Sequence, residues 1–448
     1  MFSQETASTD GPPTAREASP GEELRALLHA RLTMSSESPK IVITGIGSVS
    51  PFGIGIDAQA EGLQNLQNVV RANATPGLSP LSFDSYSIIE GFEPKKLVKP
   101  RKSIKLMCRE ILTGVAAAQL AVDHASLDTT SINLERFGVV LGSEMMYGDP
   151  LELTELFASA TQSGDFSIRR FGERLSQDLF PLWMLKYLPN MPACHIGIAH
   201  NSQGPNNSIV QGDASSLLAI AESVSLIRRG WADVMIAGGS GTIIQPARAA
   251  NLSPEVFTPS TTCRPFDASR DGTVPGEGAA TFVLETAEHA AARGAKPLAE
   301  VAGFGRTFEL ARPYSAFEPN SPSQSAIQRS ITAALSDAQT SIDRIDHVNA
   351  HATGSKEFDA IEARAIAAEL PNVPVTAIKS YFGNLGAGSG AIEMAASVLA
   401  FEEGSIAPTL NFETADPDCP VNVIAGNAKP VEKSDALILS QSSTGQAA

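Results

Sequence analysis

Residues 204–239 read GPNNSIVQGDASSLLAIAESVSLIRRGWADVMIAGG, and they decide the fold. Ser208 to Val210 is a short apolar-leaning run, and Gln211, Gly212 and Asp213 form a tight turn. Leu217, Leu218, Ile220, Ala221, Val224 and Ile227 then recur at helical spacing. Arg228 and Arg229 suit a helix C-terminus, and Gly230 is a natural stop. Ala232 to Ala237 reads as a buried strand ended by Gly238 and Gly239. Strand, sharp turn, helix, strand is a plan that holds one side chain at a helix N-terminus, where α/β enzymes often place a nucleophile.

The plan occurs twice. Val373 to Ile378 is a strand that leads into KSYFGNLGAGSGAIEMAASVLAFEEG, again a glycine-rich turn, a small-residue helix and a glycine stop. Two halves with one plan suggest an internal duplication. Outward from these units, strands are expected at Ile41 to Gly55 (with its turn), Phe137 to Ser143, Leu298 to Gly305 and Ile345 to Asn349. Helices are expected at Ile104 to Ala125 and 324–338. The glycine-rich turn after the first strand lacks the GxGxxG spacing of a dinucleotide site.

Composition bounds the function. The chain has 448 residues, 43% hydrophobic and 18% charged, enough for two or three domain-sized cores. A net charge of -16 argues against general nucleic-acid binding, and no apolar run is long enough for a membrane span. Cys108, Cys194, Cys263 and Cys419 are scattered without a CxxC pair, so neither a metal site nor a disulfide framework is indicated and a cytoplasmic location is expected. Residues 1–39 are rich in Ser, Pro, Thr and Glu and read as a disordered extension with one short helix at Glu22 to Leu32; Met34 is a candidate true start. Residues 95–105, KKLVKPRKSIK, are the one dense basic run, either a solvated loop or a docking patch for an acidic partner.

Several motifs together resemble the β-ketoacyl synthases of the thiolase superfamily. They are Gly204-Pro205-Asn206 before the elbow, the CRPFDASRDGTVPGEGA run at 263–279, Asn349-Ala350-His351-Ala352-Thr353, and NFETADPDCP at 411–420. The resemblance covers residues 41–448 and implies an α/β, thiolase-like fold, five layers (αβαβα) from two duplicated halves, 40–288 and 289–448. It also implies a site. Asp213 stands at the family's nucleophilic cysteine, and none of the four cysteines can replace it. His351 matches the catalytic histidine, and Asn384 stands where elongating members have a second one. Lys379 is expected to pair with Glu362, Asp359 to brace the loop, and Glu393 matches the acid on the following helix. A carboxylate is a poor nucleophile for a thioester; Asp213 could instead cap its helix, or pair with His351 and hold the imidazole protonated. At the C-terminus ILSQSSTGQAA aligns with a glycine-rich loop, so Ser443 and Gly445 are expected to meet substrate. The family's last strand has no counterpart after it, through a truncated chain or a shorter second sheet.

The resemblance, with Asp213 at the cysteine position, implies a protein of fatty-acid or polyketide synthesis that is condensation-incompetent and acts as a chain-length-factor-like partner. The alternatives are a malonyl-carrier decarboxylase or other acyl-carrier transferase using His351 and Asn384, and a non-catalytic scaffold that binds acyl carriers. The expected partners are an acyl carrier protein bearing an acyl or malonyl thioester and a second subunit, a copy of the chain or an intact synthase. No cofactor or metal is expected.

Overall fold

The structure is a computed structural model that describes residues 38–73, 83–146, 148–162, 164–245, 256–310 and 321–448. The expected extension, with Met34 and the helix at 22–32, lies outside the described residues but for its last two. Lys40–Ala448 form one compact unit.

The first sheet has seven strands among the described residues. They are β1 (Ile41–Ser50) with Gly53–Ile54 turned back on its end, β2 (Phe137–Gly142), β3 (Asn206–Ile209), β4 (Val234–Thr242), β5 (Glu277–Thr286) and β6 (Ala299–Glu300). The order is β6-β1-β5-β4-β2-β3. β1 and β5, and β5 and β4, are antiparallel, whereas β4-β2-β3 are parallel. β1 and β4 are buried along their whole length, which is why their sequences are near-continuous apolar and small runs rather than alternating ones.

The second sheet is parallel. It takes β8 (Ile345–Asn349), β9 (Pro374–Thr376), β10 (Asn422–Val423) and β11 (Asp435–Ile438) in the order β10-β9-β8-β11. Beside it β7 (Thr307–Phe308) pairs with β12 (Gln446–Ala447), so the chain ends in a short strand.

Helices fill the remaining layers. α1 (Arg109–His124) and α2 (Met191–His200) cover the outer face of the first sheet, where Ile111, Val115 and Ile196 meet Val139, Leu141 and Ile236. α3 (Ser215–Arg228) and α6 (Ser389–Glu403) form the middle layer, packing Ile220, Val224, Ile392 and Leu399 against Val140, Met235 and Phe282. Every residue of α6 from Ser389 to Ala400 is buried, as a helix apolar or small on all sides must be. α4 (Gln324–Asp337) and α5 (Lys356–Glu369) close the far face through Ile327, Ile331 and Ile366 against Val348 and Val375. The five layers are those expected.

Two expectations are corrected. β4 does not stop at Gly238 and Gly239 but runs on to Thr242. Its glycines mark close approach rather than a turn: a Cβ on Gly239 would stand 2.4 Å from the Ala387 carbonyl, and one on Gly241 2.4 Å from that of Leu385. The halves therefore meet there backbone to backbone. Of Leu298 to Gly305 only Ala299–Glu300 is strand, and it joins the first sheet through β1.

Candidate active site

The elbow follows β3. Gly212 takes φ +58°, a left-handed conformation natural to glycine, and α3 begins at Ser215 with Ala214 as its N-cap residue. Ser215 Oγ accepts from the Gln211 N–H at 2.8 Å and donates to the Gly212 carbonyl at 2.5 Å. Asp213 is therefore not the cap; its carboxylate points across the middle of the molecule instead. Ser440 Oγ holds the Asp213 carbonyl at 2.8 Å.

The opposing groups come from the second half. The loop after β8 carries His351 and is braced by two buried carboxylates of α5. Glu362 accepts from the His351 and Ala352 N–H groups, each at 2.8 Å. Asp359 accepts from Thr353 at 2.9 Å, Gly354 at 3.1 Å and Phe266 at 3.0 Å. Ala352 takes φ +21°, rare for a residue with a Cβ, which this bracing holds in place. From the loop at 263–279, one charged side chain reaches outward. Buried Arg270 reaches Asp416 and lies 4.0 Å from Asp359, and it donates to the carbonyls of Asp267, Ser355 and Lys356. One guanidinium thus ties three loops together behind His351.

Lys379 pairs with Glu393, not with Glu362, and both are fully buried. Glu362 faces backbone N–H groups instead, because the short helix Lys379–Phe382 aims the ammonium at α6. The ammonium also donates to Nδ1 of His351 at 3.0 Å. An ammonium has no lone pair, so Nδ1 is the acceptor and the ring proton sits on Nε2. Nε2 lies 3.4 Å from Oδ2 of Asp213. Asn384 Nδ2 donates to the same Oδ2 at 2.8 Å. Its amide cannot turn over, since Oδ1 accepts from the Gly386 N–H at 2.9 Å and Ser389 Oγ at 3.0 Å.

The charges follow. Burial works against an ionised Asp213, but the His351 hydrogen bond and, in the acid range where the imidazole is protonated, its charge, then the Asn384 hydrogen bond and the Lys379 charge, hold its carboxyl down to about 2. Burial, and then the Lys379 charge, depress His351 to about 4 against the pull of Asp213. The imidazole is therefore neutral at pH 7; of the two alternatives for Asp213, the pairing with His351 is present but does not hold the ring protonated. Burial raises Glu362 and Glu393 to about 7 and Asp359 to about 6.

The structure brings Asp213, His351, Asn384, Lys379 and Glu393 into one connected row. Ser443 is exposed, and Gly445 packs against Glu309; Ser440 and Ser442 are the residues of that loop that touch the elbow. Cys263, buried behind the site, donates to the Thr353 carbonyl at 3.5 Å. A cavity of about 430 Å³ near the first sheet is lined by Cys108, Met145, Met146 and Tyr187 among others, and by none of the row. The basic run is a surface feature: Lys95, Lys96, Lys99, Arg101, Lys102 and Lys105 are all exposed. Residues that sequence reading missed are Ser389 and Ser440, which fix Asn384 and Asp213. Each is one serine in a small-residue run, without a distinguishing signal.

The chain is similar to known proteins over most of its length. Residues 38–290 match the β-ketoacyl synthase N-terminal domain and residues 298–413 the C-terminal domain. The chain is 34% identical to nodulation protein E of Rhizobium leguminosarum bv. trifolii, over 86% of this chain and 92% of that one. It is 30% identical to 3-oxoacyl-[acyl-carrier-protein] synthase 2 of Synechocystis sp., over 88% and 92%. Among solved structures, the ishigamide ketosynthase/chain length factor superposes with a TM-score of 0.79 at 27% identity, over 92% of this chain and 98% of that one. A type II PKS acyl-carrier protein in complex with its ketosynthase bound to the hexaketide gives 0.75 at 25% identity, over 92% and 98%.

Proposed function

Because the chain belongs to the β-ketoacyl synthase family, we propose that it serves fatty-acid or polyketide synthesis as a condensation-incompetent subunit, paired with an intact synthase in the manner of a chain length factor. Asp213 takes the place of the nucleophile. The observation that carries the reading is that Oδ2 of Asp213 draws both remaining donors, His351 Nε2 at 3.4 Å and Asn384 Nδ2 at 2.8 Å. In a thioester-cleaving site those two N–H groups would face a substrate carbonyl. Here the Asn384 amide is taken up by a carboxylate of the protein itself, and the His351 ring nitrogen faces the same oxygen.

The same observation disfavours malonyl-carrier decarboxylation. An ionised Asp213 repels a malonyl carboxylate, by about 4 kcal/mol for two charges 4 Å apart at an effective dielectric near 20. The partner reading draws on the ketosynthase/chain length factor neighbour and on the edge of β3, which among the described residues has β2 on one side only. The exposed lysines of 95–105 and Arg101 would meet an acidic acyl carrier protein.

The test is intact-mass spectrometry of carrier proteins after incubation with the purified chain, malonyl-carrier and a medium-chain acyl-carrier. The expected result is no acetyl-carrier and no β-ketoacyl-carrier. Either product, made by the chain alone and lost in His351→Ala, overturns the proposal.

A further inference from the structure

The cavity of about 430 Å³ lies on the α1 side of the first sheet. Ser240 of β4 turns to that side, where its hydroxyl donates to the Glu110 carbonyl of α1 at 2.7 Å, and Thr242, two residues on, faces the same way. The row gathers at the start of α3, on the other face of that sheet, and lends the cavity no lining residue. The walls are aliphatic and sulfur-rich, from Ile88, Met145, Met146 and Ile244, with the ring of Tyr187, whose hydroxyl donates to Glu152 at 3.0 Å. Met145, 56 % exposed, stands at the mouth. Cys108 adds a thiol 3.7 Å from the Met146 sulfur. Burial pushes that thiol up to about 12, so it packs as a small apolar group and not as a nucleophile. Methionine walls adapt to a flexible chain better than to one rigid shape.

One end of the cavity is polar. Thr242 stands in register with Glu277 across β4 and β5. Glu277 accepts from Arg109 Nε at 2.7 Å and from Nη2 at 2.6 Å, and the same Nη2 donates to the Ile89 carbonyl at 2.8 Å. Arg109 Nη1 and the Thr242 hydroxyl have no hydrogen-bond partner among the described residues, and both residues line the cavity. Two donors thus stand at one end. The charge there is already balanced, because Arg109 is the one cation among the described lining residues and Glu277 matches it, while Glu110 is a further carboxylate.

We propose that this cavity binds a free aliphatic chain ending in a neutral oxygen, an alcohol or an ester, with that oxygen accepting from Thr242 and Arg109 and the chain lying along the methionines. The volume is that of a small-ligand pocket. An anionic end would face Glu277 and Glu110 with no cation left for it, and a plain alkane would leave both donors unpaired. The proposal is independent of the chemistry at Asp213.

Isothermal titration calorimetry of the full chain tests this, with 1-octanol, methyl octanoate and octanoate as probes. The alcohol and the ester are expected to bind at one site per chain, and octanoate at least about tenfold more weakly. Thr242→Val, of nearly the same shape, is expected to weaken 1-octanol about fivefold. Met146→Trp fills the cavity and is expected to abolish binding; Ile244→Phe fills it from another wall, and whichever variant keeps the wild-type melting point is the one read. Absent binding of 1-octanol, octanoate bound as tightly, or binding that survives Thr242→Val and filling unchanged overturns the site. Octanoyl-carrier is the last arm. It is expected to leave 1-octanol bound; displacement of the alcohol would join the cavity to the acyl site and overturn a separate one.

Discussion

The ammonium of Lys379 donates to Nδ1 of His351 across 3.0 Å, and this one bond sets which ring nitrogen carries the proton. Burial holds the ring neutral, and the Lys379 charge adds to that because a buried positive neighbour opposes a second one. In nitrogen-15 spectra His351 is expected as the neutral Nε2–H tautomer throughout pH 5 to 8, titrating at about 4. Lys379→Met removes the like charge and moves that midpoint upward. A wild-type midpoint near the ordinary 6.5 would sink the assignment.

Asp213 contributes stability as an anion. Its folded carboxyl lies at about 2, below the ordinary 3.8, so the contribution is present above about pH 4 and is lost as pH falls through 2. Asp213→Asn is expected to lose about 2 kcal/mol at pH 7, narrowing steadily below pH 4. Urea unfolding at a series of pH values measures it; a pH-independent difference contradicts the linkage.

Glu362 has the opposite sign. Its folded carboxyl is raised to about 7 by burial, so the stability it confers is present below the ordinary 4.5 and is lost as pH rises through 7. The unfolding free energy is expected to decline between pH 5 and 8, and Glu362→Gln is expected to flatten that slope. An unchanged slope in the variant would remove Glu362 as the cause.

Arg270→Met leaves Asp416 and buried Asp359 without their cation and takes one donor from each of three carbonyls, of which Asp267 and Ser355 keep a backbone N–H. Breaking such a buried pair costs about 3 to 5 kcal/mol. Thermal melting is expected to fall by several degrees, and Arg270→Lys to recover little, because an ammonium cannot span the four acceptors that the guanidinium reaches. Full recovery by lysine would mean that charge, not geometry, matters there.

Asp213→Cys releases His351 Nε2 and Asn384 Nδ2 from the carboxylate. The variant is expected to gain an acyl adduct of one chain per protein with acyl-carrier, read by intact mass, where the wild type gains none. An adduct-free variant that retains its wild-type melting point would place the block elsewhere than residue 213.

Much of the fold was legible because local patterns carry it. Apolar spacing placed α3 within two residues of its N-terminus, and the repeated strand-turn-helix plan foretold two stacked halves. What stayed hidden depends on distances between halves. Lys379 lies in sequence between Glu362 and Glu393, and spacing cannot choose between them; the direction of the short helix does. Gly238 and Gly239 read as a stop, since a glycine pair looks the same whether it turns a chain or admits a neighbour. The row at the site was legible residue by residue, whereas its protonation was not, because burial outweighed the pairing that spacing suggested.

The bare-backbone seam at Gly239, Gly241 and Gly388 bears on how this protein can change. No side chain there can shrink or rotate to absorb a displacement, and a Cβ on Gly388 would stand 2.2 Å from the Gly278 carbonyl. Asp213 reaches the site from one side of the seam, and His351, Lys379 and Asn384 from the other. The seam therefore works as a fixed gauge between them, without a hinge. Adaptation to a longer or bulkier cargo has to come from peripheral loops, and a single added methyl at the seam would be felt first as a lengthened Asp213–Asn384 contact.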